Sequence, residues 1–433
     1  MTTVAFVGVG RMGCLMVPHL TAAGHVVRTF DLAPGDPLAG TVPCASGAEA
    51  AAGAEVAITM LPSPAAVREA VLGPGGLGEG LASGTLSIDM STSTPLLARE
   101  LAATLGTRGV EALDAPVSGG TIGAAAGTLT IMAGGAPEAF ARAEPLLASM
   151  GSSVVHVGGH GQGQAAKLCN NLLAGVNMAA IAQAVALARR EGIDPKVFYD
   201  LVTASTGDSR VLRTRYPAAV NATTPAAHGF APMFTVDLME KDLALAEQLA
   251  DGHGIGSEPL AAALALYRRV QADGLGALDY SAVALLSGGA GIDDQLAALR
   301  GLLGVQRVTV RVDVSEARFP VRFESCADGV SSLRADTIDL DKQPVPRMLA
   351  ESGGQVVQDD AAAAFPGDAA FHEMRERFGG LRAQIVTGCY RDATLIALLS
   401  AHDLRAPRSW SDAERALCRS TASRIAEAID AGA

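Results

Sequence analysis

Lys167 and Asn171 are the residues whose types and spacing most directly suggest chemistry. They lie four residues apart in the stretch 161–192, where no other charged residue comes before Arg189. Side chains four positions apart on a helix share one face. A buried lysine has a lowered pKa that suits proton exchange with a substrate oxygen, and an amide can hold the reacting hydroxyl or carbonyl. Taken alone, such a lysine is more often a surface residue whose charged end reaches water.

The element that must position these two side chains is one long helix. Arg189 and Arg190, followed by Gly192, are typical of a helix C-terminus. Between positions 168 and 188 the apolar residues occur almost all round the helix, so we expect burial on most of its sides. The apolar run 172–188 is shorter than the roughly 20 residues needed to cross a membrane, which favours a core helix.

A glycine-rich turn near the start of the chain predicts a cofactor site. A short apolar run, Thr3–Val7, leads into the sequence GVGRMG and then into a helical stretch. In such a unit one glycine allows the tight turn, the next lets a pyrophosphate approach the backbone, and the last lets helix pack on strand. The residues that we assign to cofactor binding here are Gly8, Gly10, Arg11, Met12 and Gly13.

The second strand, Val26–Phe30, ends in Asp31 at the position that a dinucleotide fingerprint requires. A carboxylate there accepts hydrogen bonds from ribose hydroxyls and would repel a 2′-phosphate. The sequence therefore predicts that the chain binds NAD, and favours NAD over NADP.

Strands then alternate with helices through residues 1–160, which predicts a doubly wound, mostly parallel sheet. Ligands of such sheets lie at the carboxyl ends of the strands. Polar segments follow several predicted strands at that edge: residues 61–63, 91–94 and 118–120. Residues 161–286 show helical patterns only and predict an all-helical domain, and the glycine-rich residues 287–292 read as a linker.

The remaining residues, 293–433, change character. Two runs, at 307–313 and 321–326, alternate apolar and polar residues, which is typical of half-buried antiparallel strands. Two further strands are expected near 381–386 and 395–402. A capping box at Ser411 starts a final helix that we expect to reach Ala431. This part is predicted to be a separate α+β domain.

Composition excludes several classes of function. The net charge of −12, without basic runs, argues against nucleic acids and anionic membranes as partners. The six cysteines form no CxxC pair and read as free thiols, and no signal peptide is evident, so we expect a cytoplasmic protein. His156 and His160 lack an evident third ligand, so no metal site is predicted.

Five motifs in order resemble the β-hydroxyacid dehydrogenases, a family that includes 3-hydroxyisobutyrate dehydrogenase and 2-hydroxy-3-oxopropionate reductase. The motifs are GVGRMG, SIDMSTSTP, DAPVSGG followed by GTLTIMAGG, GQAAKLCNN and FTVDLMEKDL, within residues 3–285. The resemblance implies a Rossmann domain and an all-α domain joined by the long helix, in a homodimer or homotetramer. It also implies NAD-dependent transfer of hydride between nicotinamide and a small 3-hydroxy acid or its semialdehyde.

Carried onto this chain, the resemblance assigns a role to nine residues outside the glycine turn. Lys167 matches the catalytic lysine, and Asn171 matches a substrate amide. The segment that would bind the substrate carboxylate comprises Ser118, Gly119 and Gly120. The positions that match residues beside the cofactor are Leu61, Pro62, Thr92 and Lys241.

Two questions stay open at this point. Imine reductases resemble this architecture but typically lack the lysine, so Lys167 favours hydroxyacid chemistry. The cluster of Arg210, Arg213 and Arg215 either recognises the far end of the substrate or forms a solvated basic helix face.

The C-terminal part resembles a GAF domain, which implies a small-molecule ligand or assembly through its end helices. Cys389-Tyr390 does not match the Cys-His pair of bilin-binding members. One alternative to the enzyme is therefore an NAD(H)- or metabolite-responsive sensor. The other reading of this part is a module for packing and oligomerisation.

Overall fold

The computed structural model describes residues 1–33, 35–218, 220–312, 320–335, 343–352 and 354–430. The chain forms two compact units. The first comprises residues 1–174 with 239–261, and the second comprises 175–238 with 262–433. Asp313 and Ala431, the last residues of a predicted strand and a predicted helix, lie outside the described residues.

The first unit is built on a nine-stranded sheet. Its strands are β1 (Thr3–Val7), β2 (Val26–Phe30), β3 (Thr41–Pro43), β4 (Val56–Thr59), β5 (Leu86–Asp89), β6 (Glu111–Asp114), β7 (Val117–Ser118), β8 (Leu129–Gly135) and β9 (Gly151–Gly158). They are ordered β3-β2-β1-β4-β5-β6-β8-β7, with β9 on β8. Strands β1 to β6 pair in parallel, and β8 runs antiparallel to β6. The predicted mostly parallel sheet is confirmed.

Helices cover both faces of this sheet. They are α1 (Gly13–Ala22), α2 (Gly47–Ala51), α3 (Pro64–Leu72), α4 (Leu77–Gly80), α5 (Pro95–Gly106), α6 (Gly120–Ala126) and α7 (Pro137–Leu147). One buried core contains Phe6 with Met16 of α1, and the other contains Val7 with Val67 of α3. Strands β4 and β5 are buried along their whole length, although β5 includes the polar residues Ser87 and Asp89.

The long helix α8 (Gln162–Arg190) runs from the first unit into the second. Our expectation that it is buried on most sides is wrong. One face is exposed, and Leu173 and Leu187 on that face are 61% and 63% accessible. By length and composition alone α8 would be long enough to cross a membrane. Its first turns, however, bury Lys167 and Asn171 against protein, as a core helix does.

The described part of residues 195–287 is helical, as expected. Its elements are α9 (Pro195–Thr203), α10 (Arg210–Arg215), a 3-10 turn (Pro225–His228), α11 (Val236–Gly252), α12 (Glu258–Ala272), a second 3-10 turn (Tyr280–Val283) and α13 (Ala284–Ser287). Residues 287–292, which read as a linker in the sequence, are packed. A Cβ on Gly289 would lie 2.5 Å from the Ala182 carbonyl oxygen, and Ala290 and Ile292 are buried.

The C-terminal part contains a second sheet of five antiparallel strands. These are β10 (Arg307–Val312), β11 (Val321–Cys326), β12 (Gln355–Gln358), β13 (Ala383–Arg391) and β14 (Thr394–Asp403), in the order β11-β10-β14-β13-β12. Its helices are α14 (Ile292–Leu303), α15 (Pro344–Glu351), α16 (Ala369–Arg377) and α17 (Asp412–Asp430). The sequence did not predict α14 or β12.

Candidate active site

The glycine turn after β1 has the geometry that a dinucleotide requires. Gly8 adopts φ +97°, and a Cβ there would lie 2.3 Å from the Met60 carbonyl oxygen. A Cβ on Gly13 would lie 2.0 Å from the Gly8 carbonyl oxygen, so the start of α1 packs directly on the turn. At Gly10 a Cβ would meet no atom of the described residues within 4 Å. The turn therefore leaves open space beside its backbone, which fits a pyrophosphate group.

Asp31 lies where β2 ends and is tied to this turn. Its Oδ2 accepts a hydrogen bond from the Val9 backbone N–H at 2.8 Å, and its Oδ1 accepts one from Ala33 N–H at 2.9 Å. Arg28, on the same strand, donates to the carbonyls of Glu49 and Ala52. Its guanidinium is thus engaged with protein backbone. Arg11 is exposed and Met12 is half-buried at the start of α1.

The loops after β4 and β5 are fastened to each other. The backbone N–H of Leu61 donates to Ser91 Oγ at 2.8 Å. Thr92, one residue on, is half-buried, and its carbonyl accepts a hydrogen bond from Lys241 Nζ at 3.2 Å. Pro62 is exposed beside Leu61. Three of the predicted cofactor positions, Leu61, Thr92 and Lys241, are therefore connected through short contacts.

Lys167 and Asn171 lie on the buried face of α8, 5% and 4% exposed. The Asn171 amide donates to Asp242 Oδ2 at 2.5 Å, and Asp242 Oδ1 pairs with Lys241 Nζ at 2.9 Å. Asn171, Asp242, Lys241 and the Thr92 carbonyl thus form one polar chain. Sequence reasoning missed Asp242, which read as half of a solvated pair although it is 1% exposed.

Burial sets the protonation of the lysine. Loss of hydration lowers the pKa of Lys167 to about 8, because the charged ammonium is poorly solvated there. The carboxylate of Asp242 opposes this shift, and the charge of Lys241 adds to it. Lys167 can therefore take up or release a proton near neutral pH, which a proton-transfer group requires.

The predicted carboxylate-binding segment follows the end of β6. Ser118 is half-buried in β7, and Gly119 and Gly120 adopt φ +137° and +60°. Such angles are open to glycine and strained for other residues. Together they turn the chain from β7 into α6 and leave backbone N–H groups at the start of a helix.

A buried polar network, which sequence analysis did not predict, lies beneath these loops. Asp89 and Asp114 are adjacent in β5 and β6, and burial raises the pKa of each to about 6. Asp89 accepts hydrogen bonds from Thr59 and Ser91. Gln164 of α8 lies over both carboxyls. The sequence feature that could have revealed this network is Gln164, a polar residue one turn before Lys167 in the same apolar helix.

The arginine cluster is engaged within the second unit. Arg213 pairs with Asp208 at 2.9 Å on the surface. Arg215 pairs with the fully buried Asp279 at 3.2 Å and lies 5.4 Å from the Tyr280 ring centroid. Arg210 is exposed. The solvated helix face therefore describes Arg210 and Arg213, whereas Arg215 is a buried structural cation.

A glycine turn, an acidic residue after β2 and a buried lysine on α8 are the features expected of a dinucleotide-dependent oxidoreductase. Two family models match the chain: the NAD-binding domain of 6-phosphogluconate dehydrogenase over residues 3–158, and the NAD-binding region of NADP-dependent 3-hydroxyisobutyrate dehydrogenase over residues 161–287.

Known relatives agree. The 3-hydroxyisobutyrate dehydrogenase of Pseudomonas aeruginosa is 43% identical over 293 residues, which is 65% of this chain and 97% of the relative. The NAD-dependent L-serine dehydrogenase of the same organism is 40% identical over 288 residues, with the same shares of the two chains. The solved structure of Mycobacterium tuberculosis 3-hydroxyisobutyrate dehydrogenase with L-serine is 41% identical, with a TM-score of 0.62, and the match covers 66% of this chain and 98% of that one.

The chain belongs to the β-hydroxyacid dehydrogenase family. It is an oxidoreductase of the 3-hydroxyacid class, and NAD is its cofactor. Both family models end by residue 287, so these assignments concern the first two thirds of the chain.

Proposed function

We propose that this protein oxidises a small 3-hydroxy acid to its semialdehyde, or runs the reverse reduction, with Lys167 as the general acid/base. The observation that carries the proposal is the buried Lys167, whose pKa is lowered to about 8, on one helix face with an Asn171 that Asp242 holds in place.

The names of the relatives support this substrate class. They are dehydrogenases of 3-hydroxyisobutyrate, L-serine and 2-(hydroxymethyl)glutarate. All three compounds carry a primary alcohol on the carbon β to a carboxylate. In this chain we assign the carboxylate to the backbone N–H groups of residues 118–120 and the alcohol to Lys167 and Asn171.

Bound NAD supplies the hydride acceptor in the oxidation direction. Neutral Lys167 takes the proton of the substrate hydroxyl as the hydride leaves its carbon. The Asn171 amide donates one N–H to Asp242, and its Oδ1 accepts a hydrogen bond from Asn170 Nδ2 at 3.0 Å, so we assign its second N–H to the substrate oxygen. In the reduction direction, protonated Lys167 returns the proton to the forming alcohol.

Kinetics with substituted lysines test this proposal. Lys167→Ala should lower kcat by about 10²- to 10⁴-fold, the range that general acid–base groups contribute, while NADH binding changes little. Lys196→Ala is the matched control, because Lys196 is exposed and pairs with Asp200 on the surface. Near wild-type turnover by Lys167→Ala would contradict the assignment.

A substrate screen with NAD(H) and NADP(H) tests the reaction class. It should include 3-hydroxyisobutyrate, L-serine, tartronate semialdehyde and a cyclic imine. Reduction of the imine without turnover of any hydroxy acid would favour imine reductase-like activity. A preference for NADP would contradict the role of Asp31.

The C-terminal part supports a second proposal, a ligand-responsive GAF-like module. The five-stranded sheet between α14 and α17 is consistent with that resemblance. Arg307 and Arg311, 1% and 4% exposed, lie on the same side of β10, and their guanidinium carbons are 5.5 and 5.6 Å from the Phe378 ring centroid. Arg307 donates to His402 Nδ1 and to the carbonyls of Ser331 and Phe378, so Arg311 is the residue to test. A screen of anionic metabolites should find one that raises the melting temperature of the wild type and not of Arg311→Met.

We also propose a homodimer or homotetramer, supported by exposed apolar side chains. Leu187 on α8 and Val197 and Leu201 on α9 are 59–63% exposed. If these side chains form one contiguous apolar surface, it would be suited to an interface between copies of the chain. Light scattering should show that Leu187→Glu together with Leu201→Glu reduces the oligomer to smaller species. The control Leu96→Glu, at a residue that is 72% exposed on α5, should leave the mass unchanged.

A further inference from the structure

Gln164 is a fully buried side chain in the first turn of α8, and the chemistry proposed above does not use it. Its Oε1 accepts a hydrogen bond from the Ser93 backbone N–H at 2.8 Å, and its Nε2 donates to the Ser91 carbonyl at 2.9 Å. One side-chain amide therefore makes a donor and an acceptor contact to the backbone on either side of Thr92.

A side-chain amide makes both contacts at any pH. A carboxylate lacks the donor, and a hydrocarbon lacks both groups. Without Gln164 the buried Ser93 N–H and Ser91 carbonyl would lose their partners, which is costly for buried backbone groups. The loop 91–93 is thereby held to α8 at a defined position.

The same helix face carries the proposed chemistry. Residues at i, i+3 and i+7 of a helix lie on one side, so Gln164, Lys167 and Asn171 share a face. A shift of loop 91–93 along α8 would change the distance from Thr92 to Lys167. Thr92 is held from the other side as well, through the hydrogen bond from Lys241 to its carbonyl.

Buried carboxylates anchor both partners of this contact. Asp114 Oδ2 accepts the backbone N–H of Gln164 at 2.8 Å, and its Oδ1 accepts that of Gly161 at 2.7 Å, which fixes the start of α8. Asp89 Oδ1 accepts the Ser91 backbone N–H at 3.0 Å and fixes the loop. The amide thus connects two points that are each tied to the sheet.

We propose that Gln164 is a positioning residue, whose amide fixes the Thr92 loop in register with Lys167. The inference rests on the proposed function, in which Thr92 lies beside the nicotinamide ribose and Lys167 exchanges the proton. Gln164 itself touches neither substrate nor cofactor in this scheme.

Three variants of the full-length protein test the inference. Gln164→Met keeps the length of the side chain and removes both hydrogen bonds. Gln164→Glu keeps the acceptor for Ser93, but it donates to Ser91 only when protonated. Gln162→Glu is the matched control, because Gln162 is exposed in the same turn and its Oε1 accepts from Gly159 N–H, which a carboxylate also does.

The readouts are NADH affinity by fluorescence titration, melting of the cofactor-free protein, and kcat/KM at several pH values. Gln164→Met should weaken NADH binding about 3- to 10-fold and lower kcat/KM about 10- to 100-fold, in line with the loss of two hydrogen bonds. Gln162→Glu should stay within 2-fold of the wild type in both measurements.

The pH dependence of Gln164→Glu separates positioning from simple packing. Its kcat/KM relative to the wild type should rise at least 5-fold between pH 8 and pH 5.5, because protonation restores the donor to Ser91. Asp89, Asp114, Lys167 and Lys241 are the ionisable groups around this contact, and dividing by the wild type at each pH removes the titration that both proteins share. A ratio that does not change with pH would overturn the inference.

The two proposals fail in different ways. A wild type that turns over no hydroxy acid contradicts the proposed function, while NADH affinity still decides the role of Gln164. If Gln164→Met binds NADH and turns over substrate within 2-fold of the wild type, positioning is refuted. If Gln164→Met melts before it can be assayed, Gln164→Glu at pH 5.5 decides, and a failure to recover NADH binding there refutes the inference.

Discussion

Replacing Asp242 by Asn should lower the pKa of Lys167, so that Lys167 acts as a base at lower pH. Asp242 is 1% exposed, accepts from Asn171 and pairs with Lys241. An asparagine keeps an oxygen that can accept the Asn171 bond, but it carries no charge. Two effects on Lys167 then act in the same direction. The carboxylate that raises its pKa is gone, and the charge of Lys241, which lowers it, is no longer balanced.

The size of the shift follows from the charges involved. A close carboxylate raises the pKa of a neighbouring cation by about one to three units. We take the lower end, about one unit, because Asp242 is shared with Lys241. The pKa of Lys167 should then fall from about 8 to about 7. At pH 7 the neutral fraction would rise from about 9% to about 50%, while at pH 9 both forms are almost fully neutral.

The assay is kcat/KM for alcohol oxidation at saturating NAD from pH 6 to 10. The oxidation rate rises with pH as Lys167 becomes neutral, and reduction shows the opposite trend. The ratio of Asp242→Asn to wild type should increase about 5-fold from pH 9 to pH 7, even if poorer placement of Asn171 lowers all rates. Asp251→Asn, an exposed change on the same helix, should give a flat ratio. A flat or falling ratio for Asp242→Asn would refute the electrostatic reasoning.

Three further predictions follow from the structure. Gly13→Ala should weaken NADH binding at least 10-fold and destabilise the fold by about 1–3 kcal/mol, because its Cβ would lie 2.0 Å from the Gly8 carbonyl oxygen. Fluorescence titration and urea unfolding measure the two effects. Asp294→Ala should lower unfolding stability by about 1–2 kcal/mol, because this carboxylate caps α14, whereas Asp293→Ala, at an exposed residue, should have little effect. Asp89→Asn should gain stability relative to wild type as pH rises from about 4 to about 6. In this window Asp89 keeps its proton in the folded protein but loses it in the unfolded chain. The wild type therefore loses stability as pH rises, and the asparagine variant does not. A pH-independent difference in urea unfolding would contradict the last prediction.

Local sequence signals were sufficient for the first sheet and for the glycine turn. A Cβ at Gly8 would overlap the Met60 carbonyl and one at Gly13 would overlap the Gly8 carbonyl, so the fold requires glycine at both positions. The strands β1 and β2 were predicted to the residue, because the glycine turn follows β1 and the acidic residue of the fingerprint follows β2. The short strands β3, β7 and β12 carry too few residues for a period to show.

The misjudged features depend on contacts between distant segments. The helix α8 is apolar all round, so its pattern could not distinguish the face that is buried from the face that carries Leu173 and Leu187 in the open. Asp242 looked like a surface residue because Lys241 precedes it, and only the fold places it under Asn171, 71 positions earlier. The segment 287–292 looked like a linker because glycines also occur where backbones approach closely, as Gly289 does at Ala182.

The buried charges of the first unit have a common arrangement. Burial lowers the pKa of Lys167 and raises the pKa values of Asp89 and Asp114. In all three cases burial favours the neutral form of the side chain. Such groups cost stability, and a fold built only to persist would replace them with apolar residues. Their positions, at the carboxyl ends of β5 and β6 and on the face of α8, coincide with the proposed site. The cost is therefore best explained by the need to hold a proton-transfer group and the Thr92 loop in fixed register.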